Sequence, residues 1–154
     1  MSALTTIRRI SYQDILGSPN AQALIDEYGA ECSIPLIGKI NQQPETYRML
    51  EQSGMMHCFG VFDADRLVGF ASVLTSVIPH YGQKVATVES LFVSSGHRSG
   101  GTGRALMATI EAHASTEGCV AILYSAPAHS QFEQLLTLYP VYTRTNSVFC
   151  RRLT

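Results

Sequence analysis

The chain has 154 residues, 45% of them hydrophobic and 15% charged. That is enough apolar material for a single packed domain spanning 1–154 and too much for a disordered chain. Eleven basic and twelve acidic residues leave a net charge of −1, without the basic excess of a nucleic-acid binder, and no apolar run approaches the roughly 20 residues of a membrane span.

The opening stretch MSALTTIRRI lacks the apolar core of a signal peptide, so a cytoplasmic location is expected. Cys32, Cys58, Cys119 and Cys150 are scattered with no Cys-x-x-Cys pair, and four reduced thiols are expected. His57, His80, His97, His113 and His129 are equally dispersed, so no metal is expected.

In chain order, residues 4–10 read as a first strand, and Ser11 can cap the helical turn that follows. Asn20 to Tyr28 reads as a helix with Ala23, Leu24 and, in part, Tyr28 facing the core. Glu31 to Gln43, with Pro35, Gly38 and Asn41, reads as a loop, and Pro44 starts a helix to Gln52 with Tyr47 and Leu50 turned inward. Met56–Phe62 and Arg66–Val77 read as antiparallel strands around the turn Asp63-Ala64-Asp65. A central strand runs from Lys84 to Val93, a helix starts at Thr102, a buried strand covers Cys119–Tyr124, and a helix spans Ser130–Leu138. Tyr139–Thr143 and Ser147–Arg152 read as a last pair of strands. The sum is an α/β fold: a mixed, mostly antiparallel sheet of about seven strands flanked by helices, with a right-handed parallel crossover at its centre.

The informative stretch is Val85 to Gly118. Val85, Thr87, Val88, Leu91, Phe92 and Val93 favour a buried strand. Gly96, Gly100, Gly101 and Gly103 follow, so no Cβ stands between the backbone and a bulky ligand there. From Thr102 the pattern is helical, with Leu106, Ile110 and Ala114 on one stripe, Met107 beside it and Gly118 as the stop. A glycine loop before a helix start is an anion cradle, because the first helical amides have no intrahelical acceptors and the dipole favours negative charge. Arg98 and Arg104 bracket it and are candidates to pair with phosphate oxygens. A P-loop is excluded because Thr102 and Gly103 follow Gly101 where lysine is needed. A dinucleotide fingerprint is excluded because Leu106 takes the place of its third glycine.

Arg98-Ser99-Gly100-Gly101-Thr102-Gly103 does fit Arg-x-x-Gly-x-Gly/Ala, and so resembles the pyrophosphate-binding signature of the GNAT superfamily of acyl-CoA N-acyltransferases. Glu89-Ser90-Leu91-Phe92-Val93 resembles that family's fourth strand, and the element order is similar to its topology. The resemblance implies acetyl-CoA as cofactor. Its pantetheine arm would lie along the backbone of Leu91, Phe92 and Val93, and its pyrophosphate on Arg98, Ser99, Gly100, Gly101, Thr102, Gly103 and Arg104. It also implies transfer of an acetyl group to a primary amine of a small molecule, with no nucleic acid and no membrane involved. A homodimer is left open. The alternatives are a noncatalytic acyl-CoA-binding or sensing module and an acyltransferase acting on a macromolecule.

An amine near pKa 10.4 is protonated at neutral pH, so a base is useful. Glu89, on the central strand in a mostly apolar context, is the candidate; its alternative role is a solvated or structural carboxylate. For the acid the family's usual tyrosine is missing, since Leu135-Leu136-Thr137-Leu138-Tyr139-Pro140 puts leucine in its place. Tyr139 is the candidate acid, ahead of Tyr142 and His129. Tyr28 and Glu31 are the candidates to bind the acceptor.

Overall fold

The computed structural model of the chain describes residues 4–154. Strand β1 (Thr6–Ile10) is followed by helices α1 (Tyr12–Leu16), α2 (Ala21–Cys32) and α3 (Pro44–Gln52). Strands β2 (Met56–Asp63), β3 (Arg66–Ile78) and β4 (Gln83–Val93) come next, then a single 3-10 turn at Ser95–His97. Helix α4 (Thr102–Thr116), strand β5 (Ala121–Leu123) and helix α5 (Gln131–Leu138) complete the order. The sheet runs β1-β2-β3-β4-β5, antiparallel except for the β4–β5 pair.

Local chemistry explains most of these boundaries. Ser11 caps α1 in a capping box with Asp14. Pro44 opens α3 at a position where no backbone N–H is needed. Gly118, at φ 80, follows the end of α4 and lets Cys119 N–H reach back to Ala114 O at 3.0 Å. Ala64, at φ 51, takes the left-handed conformation that tightens the β2–β3 hairpin.

Two apolar layers sandwich the sheet. On one face Leu106, Ile110 and Ala114 of α4 pack on Phe59, Val61, Val68, Ala71, Val73, Ala86 and Val93. On the other, Tyr12, Ile15 and Leu24 cover Met56, Cys58, Phe62, Leu67, Phe70 and Phe92. The α4 stripe is the one expected from its periodicity. On α2 the inward residues are Ala21, Leu24 and Ile25, with Tyr28 packed beside them, while Ala23 is exposed, because it lies off the i, i+3, i+4, i+7 stripe that the other four form. All four cysteines are free thiols.

Among the described residues the sheet has five strands, not about seven. Tyr139–Thr143 and Ser147–Arg152 belong to no strand. Strand-forming side chains make a strand only where a neighbouring backbone supplies hydrogen-bond partners. These segments have none among the described residues. Among the described residues no helix is long and apolar enough to cross a membrane.

The seam between β3 and β4 is tight at Gly69. A Cβ there would lie 2.7 Å from the backbone oxygen of Phe92 and 3.2 Å from Val61 Cγ2 and Val93 Cα. Gly69→Ala is expected to destabilise the fold by about 1–3 kcal/mol, as overpacking against backbone does. Urea unfolding checks this: the midpoint should fall with the slope unchanged.

Candidate active site

The site is built around an interruption in the pairing of β4. Ser72 of β3 faces Ser90, and the next residue, Val73, faces Val88, so Glu89 has no partner across the ladder. Glu89 is the extra residue of a β-bulge. In a regular strand Glu89 and Ser90 would point to opposite faces. The bulge brings both to Ser72: Ser72 Oγ donates to Glu89 Oε2, and Ser72 Oγ and Ser90 Oγ are 2.6 Å apart. Ser72 has a single proton, given to the carboxylate, so Ser90 must be the donor to Ser72. The second carboxylate oxygen accepts from Tyr47 Oη at 2.9 Å. Burial and the adjacent Glu89 charge hold the Tyr47 phenol far above its ordinary value, so it stays a donor. Tyr47 is fixed by α3 and by face-to-face stacking on Tyr12, with ring centroids 3.6 Å apart.

Glu89 itself is exposed to a recess of about 250 Å³. Asn41, Gln42 and Gln43 from the loop before α3 line it, with Tyr47, Leu50 and Leu74 among its walls. Sequence reasoning placed Tyr47 in the core and missed its contact with Glu89. The two are 42 residues apart, and no local pattern joins them.

Beyond the bulge, β4 pairs with β3 up to Val93 but with β5 only from Val85 to Thr87. The β5-side edge of β4 from Val88 onward, including Leu91, Phe92 and Val93, is therefore free of strand partners. Phe92 and Val93 are buried and Leu91 is half-buried, so their side chains serve the core while that backbone edge is open.

The free edge runs into the glycine loop, which is tied down at several points. Ser94 N–H donates to Val68 O at 2.8 Å, and Ser95 N–H to Glu27 Oε1 at 2.8 Å. His97 Nε2 donates to Asp63 Oδ2 at 3.1 Å, which leaves Nδ1 to accept from Ser94 Oγ at 2.8 Å. Gly101, at φ 79, caps α4, a conformation that favours glycine. A Cβ on Gly96, Gly101 or Gly103 would meet nothing within 4 Å, so this side of the loop faces open space. Thr102 is buried under the helix start, and Ser99, Gly100 and Arg104 are exposed.

Several expected residues sit differently from their assigned tasks. The Arg98 guanidinium does not face the loop's open side. Its Nε donates to Val93 O at 2.7 Å, and its Nη2 lies 2.8 Å from Glu31 Oε2. Glu31 is thereby committed to Arg98, because a fixed cation beside the end of α2 is its nearest partner, and it does not line the Glu89 recess. Tyr28 also lies outside that lining; it packs edge-on against Phe70 and Phe92, where burial and then the Glu89 charge push its phenol up to about 12. Arg104 lies over the Tyr139 ring, 4.5 Å from its centroid, at the start of α4. Tyr142 is taken elsewhere: its hydroxyl donates to Glu111 Oε1 at 2.7 Å, beside Tyr124, which donates to the same oxygen at 2.8 Å.

Away from this site, His57, His113 and Glu117 form a cluster whose ligand-type atoms lie within 4.8 Å of one another, a grouping the dispersed histidine spacing did not reveal. Arg9 Nη2 is 2.9 Å from His57 Nδ1. An arginine can only donate, so Nδ1 accepts and Nε2 carries the proton toward Thr75 Oγ1 at 3.2 Å. Both ring nitrogens of His57 are thus committed, one to Arg9 and one to Thr75.

A mixed sheet whose fourth strand parts from the fifth above a glycine-started helix is the architecture of an acyl-transfer protein. The chain matches the Acetyltransferase (GNAT) family over residues 21–136, and it belongs to that family. Solved structures agree with the fold. A ribosomal-protein-alanine N-acetyltransferase from Brucella melitensis biovar Abortus 2308 is 18% identical, with TM-score 0.71 over 98% of this chain and 100% of that one. An aminoglycoside acetyltransferase, meta-AAC0020 from an uncultured soil metagenomic sample, is 15% identical, with TM-score 0.72 over 97% of each chain. The aminoglycoside N-acetyltransferase AAC(6')-Iy in complex with CoA is 14% identical, with TM-score 0.74 over 99% of this chain and 97% of that one. Comparison with curated protein sequences finds no match.

The histidine pair makes stability depend on pH. Burial, then Arg9, lowers the pKa of both His57 and His113 below the ordinary 6.5. The unfolded chain therefore binds protons that the folded chain refuses, and stability falls as pH drops through 6.5 toward the depressed values. Urea midpoints between about pH 7.5 and 5.5 should decrease with acidification, and His57→Gln should flatten that slope. Identical slopes for the two proteins would refute the assignment.

Proposed function

We propose that the protein is an acetyl-CoA-dependent N-acetyltransferase acting on a primary amine of a small molecule. The observation that carries this reading is the bulged Glu89, which opens on a recess on one side of the sheet seam and heads a free strand edge leading to the glycine loop. The residues present fit the coenzyme. Open backbone at Val88–Val93 would accept an extended pantetheine as an added strand. The amides from Arg98 to Gly103 would receive a pyrophosphate, with Arg104 the nearby cation. In this assignment Arg98 serves by its backbone, and its side chain holds α2 to the end of β4 through Glu31 and Val93. When bound, acetyl-CoA supplies an acyl thioester.

The chain's own groups do the rest. Glu89 accepts the proton of the ammonium, directly or through one water, while Tyr47 and Ser72 hold its two oxygens in place. Asn41, Gln42 and Gln43 orient a polar acceptor in the recess, in place of the acceptor role first given to Tyr28 and Glu31. Tyr139 is the proton donor on the α4 side, because Tyr142 is committed to Glu111. The aminoglycoside acetyltransferases among the similar structures support a small acceptor, as does the size of the recess.

Two experiments test the reading. Glu89→Gln keeps the size of the side chain and one acceptor oxygen but not its basicity. Turnover over an amine panel, followed by thiol release, should fall by about 10²–10⁴-fold with acetyl-CoA affinity unchanged, and Tyr139→Phe should lower turnover without lowering the melting temperature. Full activity of Glu89→Gln from pH 6 to 9 would remove it from the chemistry. Separately, Gly103→Leu places a side chain in the open space at the loop. Helix propensity predicts roughly 0.5–1 kcal/mol of added stability, while calorimetry should show acetyl-CoA binding lost. Retained affinity would show that the cradle lies elsewhere.

A further inference from the structure

The far end of α4 carries a polar cluster that the proposed chemistry does not use. His57 of β2, His113 of α4 and Glu117, just past that helix, each bring one ligand-type atom to within 4.8 Å of the others. His113 and Glu117 stand at i and i+4, so the helix stacks them on one face. The sheet supplies the third group: the His57 and His113 ring centroids are 4.6 Å apart. His57 is buried, while His113 and Glu117 are half-buried, so solvent reaches the cluster through the helix side.

One atom of the cluster is unspent. His113 Nε2 is buried and has no hydrogen-bond partner among the described residues. Glu117 Oε1 stands 3.8 Å from it, beyond hydrogen-bond distance. A buried ring nitrogen is costly without a partner. Two ligands of one tetrahedral zinc stand about 3.3 Å apart, so His113 and Glu117 need to close by only about half an ångström to share an ion. Two imidazoles and one carboxylate are a zinc donor set. The place itself suits a cation, because the negative pole of α4 lies at its carbonyl end, capped at Glu117.

We propose that His57, His113 and Glu117 bind a divalent ion of the zinc class, which ties the last turn of α4 to β2 and leaves its fourth position to water. Two cations oppose it. Lys84 Nζ is 3.8 Å from Glu117 Oε2, but it donates to the Glu117 carbonyl at 2.9 Å and leaves Oε1 on the His113 side. Arg9 is the direct competitor, with Nη2 2.9 Å from His57 Nδ1, while Thr75 Oγ1 is 3.2 Å from Nε2. An ion on Nδ1 takes the lone pair that Arg9 uses. An ion on Nε2 sends the ring proton to Nδ1, which then cannot accept from an arginine. Either way binding releases Arg9. Arg9 is exposed on the edge strand β1, so its guanidinium has water to move into. The cluster lies well away from the glycine loop: Thr102 and His113 are separated along α4 by roughly 16 Å. The acceptor and the catalytic residues play no part in it.

Calorimetric titration of zinc chloride into the full chain, first treated with a chelator, is expected to show one ion bound per chain, and the melting temperature should rise with zinc. His113→Gln and Glu117→Gln should each lose that binding while keeping the circular dichroism of the unmodified chain. Glu117 is half-buried past a helix end, so its variant stays informative should His113→Gln unfold. Arg9→Ala removes the competitor and should bind zinc more tightly than the unmodified chain. Cobalt in place of zinc reports the donor atoms, because a cysteine ligand adds intense near-ultraviolet absorption that nitrogen and oxygen ligands do not. No uptake of zinc, binding unchanged in Glu117→Gln, binding no tighter in Arg9→Ala, or the sulfur absorption of an ion held by Cys119 would each overturn the proposal.

Discussion

The rest of the structure depends on how β4 divides its hydrogen bonds. Toward β3 it is paired from end to end except at the Glu89 bulge, and toward β5 only over Val85–Thr87. Full pairing on one side anchors the strand in the core through Val85, Ala86, Phe92 and Val93. The early departure of β5 leaves backbone donors and acceptors open at the other edge. Buried backbone groups are costly without partners, so an open edge beside the core is stable only where solvent or a ligand reaches it. The glycine loop, pinned through Ser94 and Ser95, leads from that edge to the start of α4.

Placement of the carboxylate follows from the same strand. A bulge is tolerated at Glu89 because the pairs on either side of it, Ser72 with Ser90 and Val73 with Val88, re-establish the ladder at once. Its effect is to turn Glu89 out of the alternation, toward Tyr47 on α3 and Ser72 on β3. Three elements thus converge on one side chain. Arg98 plays a comparable joining role at the other end, where a guanidinium reaches both the last carbonyl of β4 and a carboxylate at the end of α2. Helices α2 and α3 are held to β3 and β4 by these polar ties and by Tyr28 packing on Phe70 and Phe92.

Much of this was legible in the sequence, and the reason is local. The glycine spacing from Gly96 to Gly103, the α4 stripe of Leu106, Ile110 and Ala114, the Ser11 cap, Pro44 and the Asp63 turn each act over a few residues, and each appears where its pattern put it. The element order, and with it the family, rests on such signals. Strand count did not follow, because Tyr139–Thr143 and Ser147–Arg152 have strand composition but no strand neighbour among the described residues. Composition reports a preference, and pairing needs a second backbone.

What the sequence by itself determined is which segments become helix and most of those that become strand, where the glycine loop lies, and that one acidic residue sits on the central strand. Only the tertiary structure decided what the side chains there touch. The bulge that frees Glu89, the Tyr47 and Ser72 hydrogen bonds to it, the capture of Glu31 by Arg98, and the meeting of His57 with His113 all join residues far apart in the chain. Turns, caps and helical stripes are short-range free energies and are written in consecutive residues. A hydrogen bond across 42 residues exists only once packing has brought its two partners to the same place.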